Sequence, residues 1–488
     1  MRDGAVGWRQ IEHQGASTVL CLWNHSRNHH LARSLAPSAS LFSLSLSLSL
    51  MMRSSQPHPS AQLANAVAAG DVELVGSLLA QGAGDGSSYS WERLTPIQQA
   101  LHNATRAGHL GVCRVILEHH TKVTQQPAST LVNSVGGHGY SPLQLAITLG
   151  FDDIARVLML EYDADFLQPV SRMPSALMLA ARKGNEAIMR TMIECLDRTP
   201  SASNDSSISR RVQALTQLDG NGRSVLHEAI ESSNLSLVRL LLDSGVSVNA
   251  SNQLSDTALH QVVRPRYNSR IANANELIHL LLEHRADLEA RGRDDSTPLL
   301  AAFSPWKSDE AQDMVQMLLD LGADITASNS EGYTALHLAV ECNMESIVLQ
   351  LLDRGASIDA RTSRGHQPIN LIQSEGVLRL LMERSASINA TSANGDTPIL
   401  KMAQKCSADG IRLLLSARAS ANAKNASGIT PLHAAISSGK CTQLLLEAQA
   451  NVNATSNKRV APLHLAAESA TAEPFLLLEA KANVNARM

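Results

Sequence analysis

Thr430-Pro431-Leu432-His433-Ala434-Ala435 decides the fold, because the chain spells it repeatedly. Thr334-Ala335-Leu336-His337-Leu338-Ala339, Ala461-Pro462-Leu463-His464-Leu465-Ala466 and Ser224-Val225-Leu226-His227-Glu228-Ala229 occupy the same six positions. A hexad that returns in register means one supersecondary unit copied along the chain. Aligning on its first position gives Thr95, Ser141, Ser175, Ser224, Thr257, Thr297, Thr334, Gln367, Thr397, Thr430 and Ala461. A base period near 33 residues with a few insertions accounts for the spacing. A further unit without the hexad starts at Ala61, so about twelve units are expected between residues 61 and 488.

Each unit reads as hairpin, helix, loop, helix. In the copy at Thr334, Gly332 marks a turn that tolerates positive φ. Thr334 is placed as an N-cap whose hydroxyl oxygen meets an orphan amide of the first turn. The next position holds proline in Pro298, Pro431 and Pro462, where the missing N–H costs no hydrogen bond. Leu336 and Ala339 face the core, and Ile347, Val348, Leu351 and Leu352 form the apolar stripe of the second helix. Gly355 closes that helix before the next hairpin.

On these residues the chain resembles the ankyrin-repeat family, whose unit is a β-turn or hairpin plus two antiparallel helices with a T-P-L-H-x-A signature. The resemblance covers roughly residues 61–488 and implies a mainly α solenoid of helix pairs with short β-hairpins between repeats. It implies that His227, His260, His337, His433 and His464 hold neighbouring backbone through ring hydrogen bonds. It implies likewise that Asn249, Asn453 and Asn485 stabilise the hairpins. Asparaginyl hydroxylation of such hairpin residues is a family-level fate, which would make the array a substrate, and one added oxygen at Asn249 or Asn453 would mark it.

The departures locate weak points. The turn glycine becomes Arg93, Arg172, Ser255, Asp295 and Arg459, and the C-cap glycine becomes Arg285, Ser385, Arg418, Gln449 and Lys481. Where positive φ is still required, each loss costs on the order of 1 kcal/mol. The repeat from Gln367 to Ala390 is about three residues short of the one from Thr334 to Ala360, which predicts a clipped inter-helix loop and local fraying. The sequence stops at Asn485-Ala486-Arg487-Met488 in mid-hairpin, which predicts either a truncated gene product or an exposed last helix pair.

Composition narrows the function. Hydrophobic residues make up 44% but aromatics only 3%, which suits thin layers of closely packed helices better than one large globular core. A formal charge of −4 gives no basic surplus for phosphate neutralisation, so no nucleic-acid partner is expected. Cys21, Cys113, Cys195, Cys342, Cys406 and Cys441 lie far apart without a C-x-x-C, and read as buried small hydrophobes in a reducing compartment. No uninterrupted apolar run reaches about 18 residues, so no membrane span is expected. Residues 1–60 read as a leader containing the Ser/Leu alternation Leu41–Leu50. Three readings stay open for it: a transit segment, a disordered tail, or an untranslated CT-repeat stretch ahead of Met51.

Chemistry finds little support. Gly82-Ala83-Gly84-Asp85-Gly86 follows a helix rather than a strand and lacks the Lys-Ser/Thr of a phosphate loop. No nucleophile has a strand-to-helix elbow around it. Sequons such as Asn204-Asp205-Ser206 and Asn389-Ala390-Thr391 occur, several from the repeat's own spelling. No catalytic residue, cofactor or metal site is expected. The insertion 199–217 reads as disordered, with Ser206, Ser207 and Ser209 beside Arg210-Arg211 as phosphorylation targets.

The candidate partner-binding residues lie where two inter-helix loops are lengthened in adjacent repeats. Arg264, Arg266 and Tyr267 occupy one, and Phe303, Trp306 and Lys307 the other. They concentrate aromatics and arginines, the types enriched at interface hot spots, on a chain poor in aromatics; the plainer alternative is that the aromatics only cover helix ends. The sequence therefore predicts a non-catalytic protein–protein scaffold or adaptor, cytoplasmic and monomeric. The rival reading is a regulatory part of a larger ligase adaptor, channel or kinase.

Overall fold

In the computed structural model, residues 59–84, 94–137, 139–169, 174–198, 210–264, 271, 273–303, 309–436, 440–468 and 473–487 are described. The chain divides into two compact units, Met1–Gln62 and Leu63–Met488. Of the first, only the opening residues of the helix Pro59–Ala69 are described, and the rest of the leader lies outside the described residues. The second unit is an α-solenoid of successive helix pairs, from Val72–Ala80 through Ala335–Glu341 with Glu345–Asp353 to Pro462–Glu468 with Glu473–Glu479.

About twelve full repeats is a mild overestimate. The first pair lacks the hexad, and in the pair after Gln367 the first helix shrinks to the 3-10 turn Pro368–Leu371. That turn also corrects the site of the deletion. Three residues separate the helices here (372–374), as they do in the preceding repeat (342–344), so the missing residues come from the first helix and not the loop. Lys405 of the next repeat reaches back to the carbonyl of Ile372 (3.2 Å) and to Gln373, where that helix would have continued.

Core and caps follow the pattern. Leu336, Ala339, Ile347, Val348 and Leu351 are fully buried. The hairpins are minimal: among the described residues, β structure amounts to the isolated bridges Leu218–Ser224, Ser251–Thr257 and Ser328–Thr334. Their tips are joined instead by one backbone bond per repeat, from Ser330 N–H to Asp294 (2.8 Å), Ser363 to Glu331 (2.8 Å), Ala393 to Arg364 (2.9 Å) and Ala426 to Asn394 (2.7 Å). This close approach is why Gly332 is glycine twice over. Its φ is +79°, and a Cβ there would lie 3.0 Å from the Cα of Thr362 in the next turn.

Two insertions carry helix. Ser129–Val132 buries Leu131 and Val132. Arg210–Leu215 buries Ala214 and Leu215, so the stretch 199–217 is not disordered throughout. Its apolar Val212, Ala214 and Leu215 give that end something to pack, whereas the serines at 206, 207 and 209 lie outside the described residues.

The C-cap substitutions sit in the strained conformation the sequence foresees. Arg285, Ser385, Arg418, Gln449 and Lys481 have φ between +59° and +66°. Each keeps the glycine's hydrogen bonds: Arg418 N–H reaches Leu415 (3.0 Å) as Gly355 N–H reaches Leu352 (3.1 Å). A Cβ at Gly355 would meet nothing within 4 Å, so the penalty at this position is conformational and not steric crowding by neighbours. Arg418→Gly and Gln449→Gly should therefore each raise unfolding stability by about 0.5–1 kcal/mol, measured as a higher urea midpoint. At the turn position, Ser255, Asp295 and Arg459 also have positive φ, and Arg93 and Arg172 lie outside the described residues.

Candidate functional site

The fourth hexad position does one job in every repeat that has the side chain for it. His337 Nδ1 accepts the N–H of Thr334 (3.3 Å) and lies 2.9 Å from its hydroxyl. Its Nε2 faces the carbonyl of His366 in the following turn at 3.1 Å. His227 uses Ser224 and Asp256, His260 uses Thr257 and Ser296, and His433 uses Thr430 and Val460. His464 takes the N–H of Ala461 (2.9 Å) and faces the carbonyl of Ala486 (3.0 Å). A nitrogen that accepts from a backbone amide carries no proton, so His260, His337 and His433 are neutral imidazoles with hydrogen on Nε2. The cap differs from expectation in one detail: at Thr334 the hydroxyl turns to the imidazole, and at Thr95 it accepts an amide, from Gln98 (3.4 Å).

Side chains that cannot titrate do the same work. Gln144 accepts the N–H of Ser141 (2.8 Å) and donates to the carbonyl of Pro174 (2.8 Å). Asn370 accepts the N–H of Gln367 (2.9 Å) and donates to Ala390 (2.9 Å) and Asp396 (3.3 Å). In the repeat at Thr95 the task is divided: Gln98 accepts the N–H of Thr95 (2.9 Å), and His102, one turn on, reaches the carbonyl of Tyr140 (3.2 Å). Where Leu400 takes the position, the Thr397 hydroxyl is buried without a hydrogen-bond partner. Gln144 and Asn370 thus supply the same acceptor and donor, one within the repeat and one toward the next, as the histidines do.

Burial holds His102, His260, His337 and His433 below the usual imidazole range, against the opposing pull of backbone carbonyls. The unfolded chain then binds protons that the folded chain refuses. This stabilisation is whole above the unfolded value of about 6.5 and is lost as pH falls below it through the folded values. Urea midpoints should be flat from pH 8 to 7 and decline below about pH 6.5; a midpoint that rises on acidification would contradict this.

The hairpin asparagines act in the same sense. Asn249 Oδ1 accepts the N–H of Asp287 (2.8 Å) while its Nδ2 donates to Arg285 (3.2 Å), and Asn453 pairs with Asn483 and Lys481 likewise. At Asn485 the bond is made by the backbone N–H, to Asn483. The sequence reading missed Asn133, Asn422 and Glu289, which hold the following hairpin in the same way through Asp165, Asn451 and Asp324.

A buried ion network was missed as well. Glu228, in the fifth hexad position, is fully buried. Arg182 of the preceding repeat binds it through two nitrogens (2.6 and 3.1 Å), and Arg223, itself buried, lies 2.8 Å away and also pairs with Glu231. The bond to Glu228 pushes Arg182 further up from the ordinary guanidinium range. The readable signal was an acid where other copies carry Leu338 or Leu465, with arginine just ahead of the hexad.

The proposed loop patch divides. Arg266, Tyr267, Trp306 and Lys307 lie outside the described residues. Phe303 is 5% exposed and belongs to the core at the C-cap of the helix Pro298–Ala302, which removes it from the candidate surface. Arg264 is half-buried at the end of Ala258–Val263, and burial lowers its pKa despite the nearby charge of Asp256. Among the described residues, no group of three His, Cys, Asp or Glu is placed to hold a metal ion, and no helix is long and apolar enough to cross a membrane.

Comparison with known proteins agrees with this geometry. A family model described as "Ankyrin repeats (3 copies)" matches residues 63–170, 164–252, 269–362, 369–456 and 399–488. The chain is 32% identical over 187 residues to the human neurogenic locus notch homolog protein 2, covering 38% of this chain and 7% of that protein. It is 30% identical over 187 residues to notch homolog protein 1 of Xenopus tropicalis, with the same coverage. It is 31% identical over 128 residues to notch homolog protein 1 of Mus musculus, covering 26% of this chain and 5% of that protein. The chain thus spans a small fraction of these relatives' length.

Proposed function

Because the chain belongs to the ankyrin-repeat family, we propose that it is a non-catalytic protein–protein scaffold, acting in the cytoplasm as a monomer. The observation that carries this reading is the exchange of His for Gln144 and Asn370 at one structural position. Among the described residues, the repeated buried histidines link successive repeats, which leaves the variable surface to select a partner. No nucleic-acid partner or cofactor enters this reading. Arg264, Arg266, Tyr267, Trp306 and Lys307 are the proposed contact residues, with the serines at 206, 207 and 209 as proposed phosphorylation targets.

The test is affinity capture with residues 52–488, identification of bound proteins by mass spectrometry, and direct titration of the purified pair. Tyr267→Ala with Trp306→Ala should weaken that binding at least tenfold while the helical circular dichroism is unchanged. Unchanged affinity in the folded variant would remove the loops from the interface. A second reading is supported by the relatives, in which the matching region is 5–7% of a far longer protein: the array regulates a larger polypeptide. A transcript that continues in frame beyond the Met488 codon into another domain would decide for it.

A further inference from the structure

Two cysteines that the sequence separates widely are in contact in the fold. Cys406 lies in the turn between the helices Pro398–Gln404 and Ala408–Ser416, with φ of +56°, and is half-buried. Cys441 lies in the first turn of Lys440–Glu447 in the next repeat and is fully buried. Their sulfurs are 3.3 Å apart, with the Cys441 thiol donating to Cys406 Sγ. A disulfide needs about 2.05 Å, so an approach of little more than 1 Å converts the contact into a bond. No third metal-ligating group joins them among the described residues, and two sulfurs at this separation can be joined by oxidation.

We propose that Cys406 and Cys441 form a dithiol modification site that takes a hydroperoxide as oxidant and closes to a disulfide between two successive repeats. The order of events follows from the geometry. Cys406 is the less buried residue of the pair and the acceptor of the inter-thiol hydrogen bond, so it is the one that attacks. Its sulfur bonds to one peroxide oxygen as the O–O bond breaks, giving a sulfenic acid and releasing an alcohol, or water from hydrogen peroxide. Cys441 Sγ then attacks that sulfur. The S–S bond forms, the S–O bond breaks, and the hydroxide leaves with the Cys441 proton as water. Two thiols lose two electrons in total, and the peroxide gains two.

The environment assigns the second role to Cys441 independently. Burial, and then the neighbouring Cys406, push its thiol up to about 12, so it stays protonated until a sulfenic acid is beside it. The structural consequence is a staple across a weak stretch. The two repeats it would join carry strained C-caps at Arg418 and Gln449 and the orphaned hydroxyl of Thr397. The bond would close a loop from 406 to 441 that contains Arg418, with Thr397 and Gln449 just outside it, and closing a loop of that length restricts the unfolded chain.

The experiment treats the reduced full chain with a small molar excess of hydrogen peroxide, alkylates the remaining thiols and maps the peptides without reduction. The expected product is one linked peptide pair containing Cys406 and Cys441, two hydrogens lighter than its reduced components and released by dithiothreitol. Cys441→Ser should leave Cys406 as a sulfenic acid that dimedone traps, and Cys406→Ser should leave Cys441 alkylatable only after unfolding. Recovery of both cysteines as alkylated thiols from the unsubstituted chain would overturn the proposal, as would conversion of Cys406 to sulfinic acid without the linked pair. The unsubstituted chain decides the matter even if a variant fails to fold.

Discussion

Glu228→Ala is expected to lower unfolding stability by about 3–5 kcal/mol, read as a fall in the urea midpoint. The cost arises on the other side of the ion pair. Arg182 has a side chain 40% exposed and can turn to water, but the Arg223 side chain is 6% exposed and would keep only Glu231. A buried guanidinium that loses its main counter-ion carries an unrecovered desolvation penalty. The chain supplies its own control, because the repeat at Thr334 fills the corresponding places with Tyr333 and Leu338. Arg223→Tyr combined with Glu228→Leu removes both charges and should lose far less than Glu228→Ala alone. A single substitution costing under about 1 kcal/mol would show that the network is effectively solvated.

His337→Ala is the second large effect, expected at about 2–4 kcal/mol. It leaves the Thr334 amide and the His366 carbonyl without their ring partner and opens a cavity in a fully buried position. His337→Gln should recover most of that loss, since Gln144 makes both bonds at the equivalent place. The glutamine variant should also show a shallower decline of stability below pH 6.5, because one suppressed titration has been removed. A glutamine variant as unstable as the alanine variant would mean that the imidazole ring is needed for its shape and not for its two hydrogen bonds.

What the sequence made legible is what recurs. The hexad, the helix-two stripe, the hairpin asparagines and the strained caps at Arg285 to Lys481 follow from periodicity and from glycine's place in it. Contacts that occur once leave no period to find. Cys406 and Cys441 are 35 positions apart and meet only because successive repeats stack. Glu228 looks like surface charge until Arg182 and Arg223 are brought to it. Phe303 was misplaced because an aromatic in a lengthened loop resembles an exposed one, whereas at the C-cap of the short helix before it the side chain is buried in the core. Gln98, Gln144 and Asn370 could have been read: an amide at the fourth hexad position has the same donor and acceptor as a neutral histidine.

The central claim is that the repeated histidines are neutral structural links between repeats. The most direct measurement is a long-range proton–nitrogen NMR spectrum of the chain with ring-labelled histidine, recorded from pH 8 to pH 5.5. His260, His337 and His433 should show the Nε2–H tautomer at pH 8 and become charged only at lower pH than exposed imidazoles do. Rings carrying hydrogen on Nδ1, or titrating with an ordinary midpoint near 6.5 while the fold persists, would contradict it.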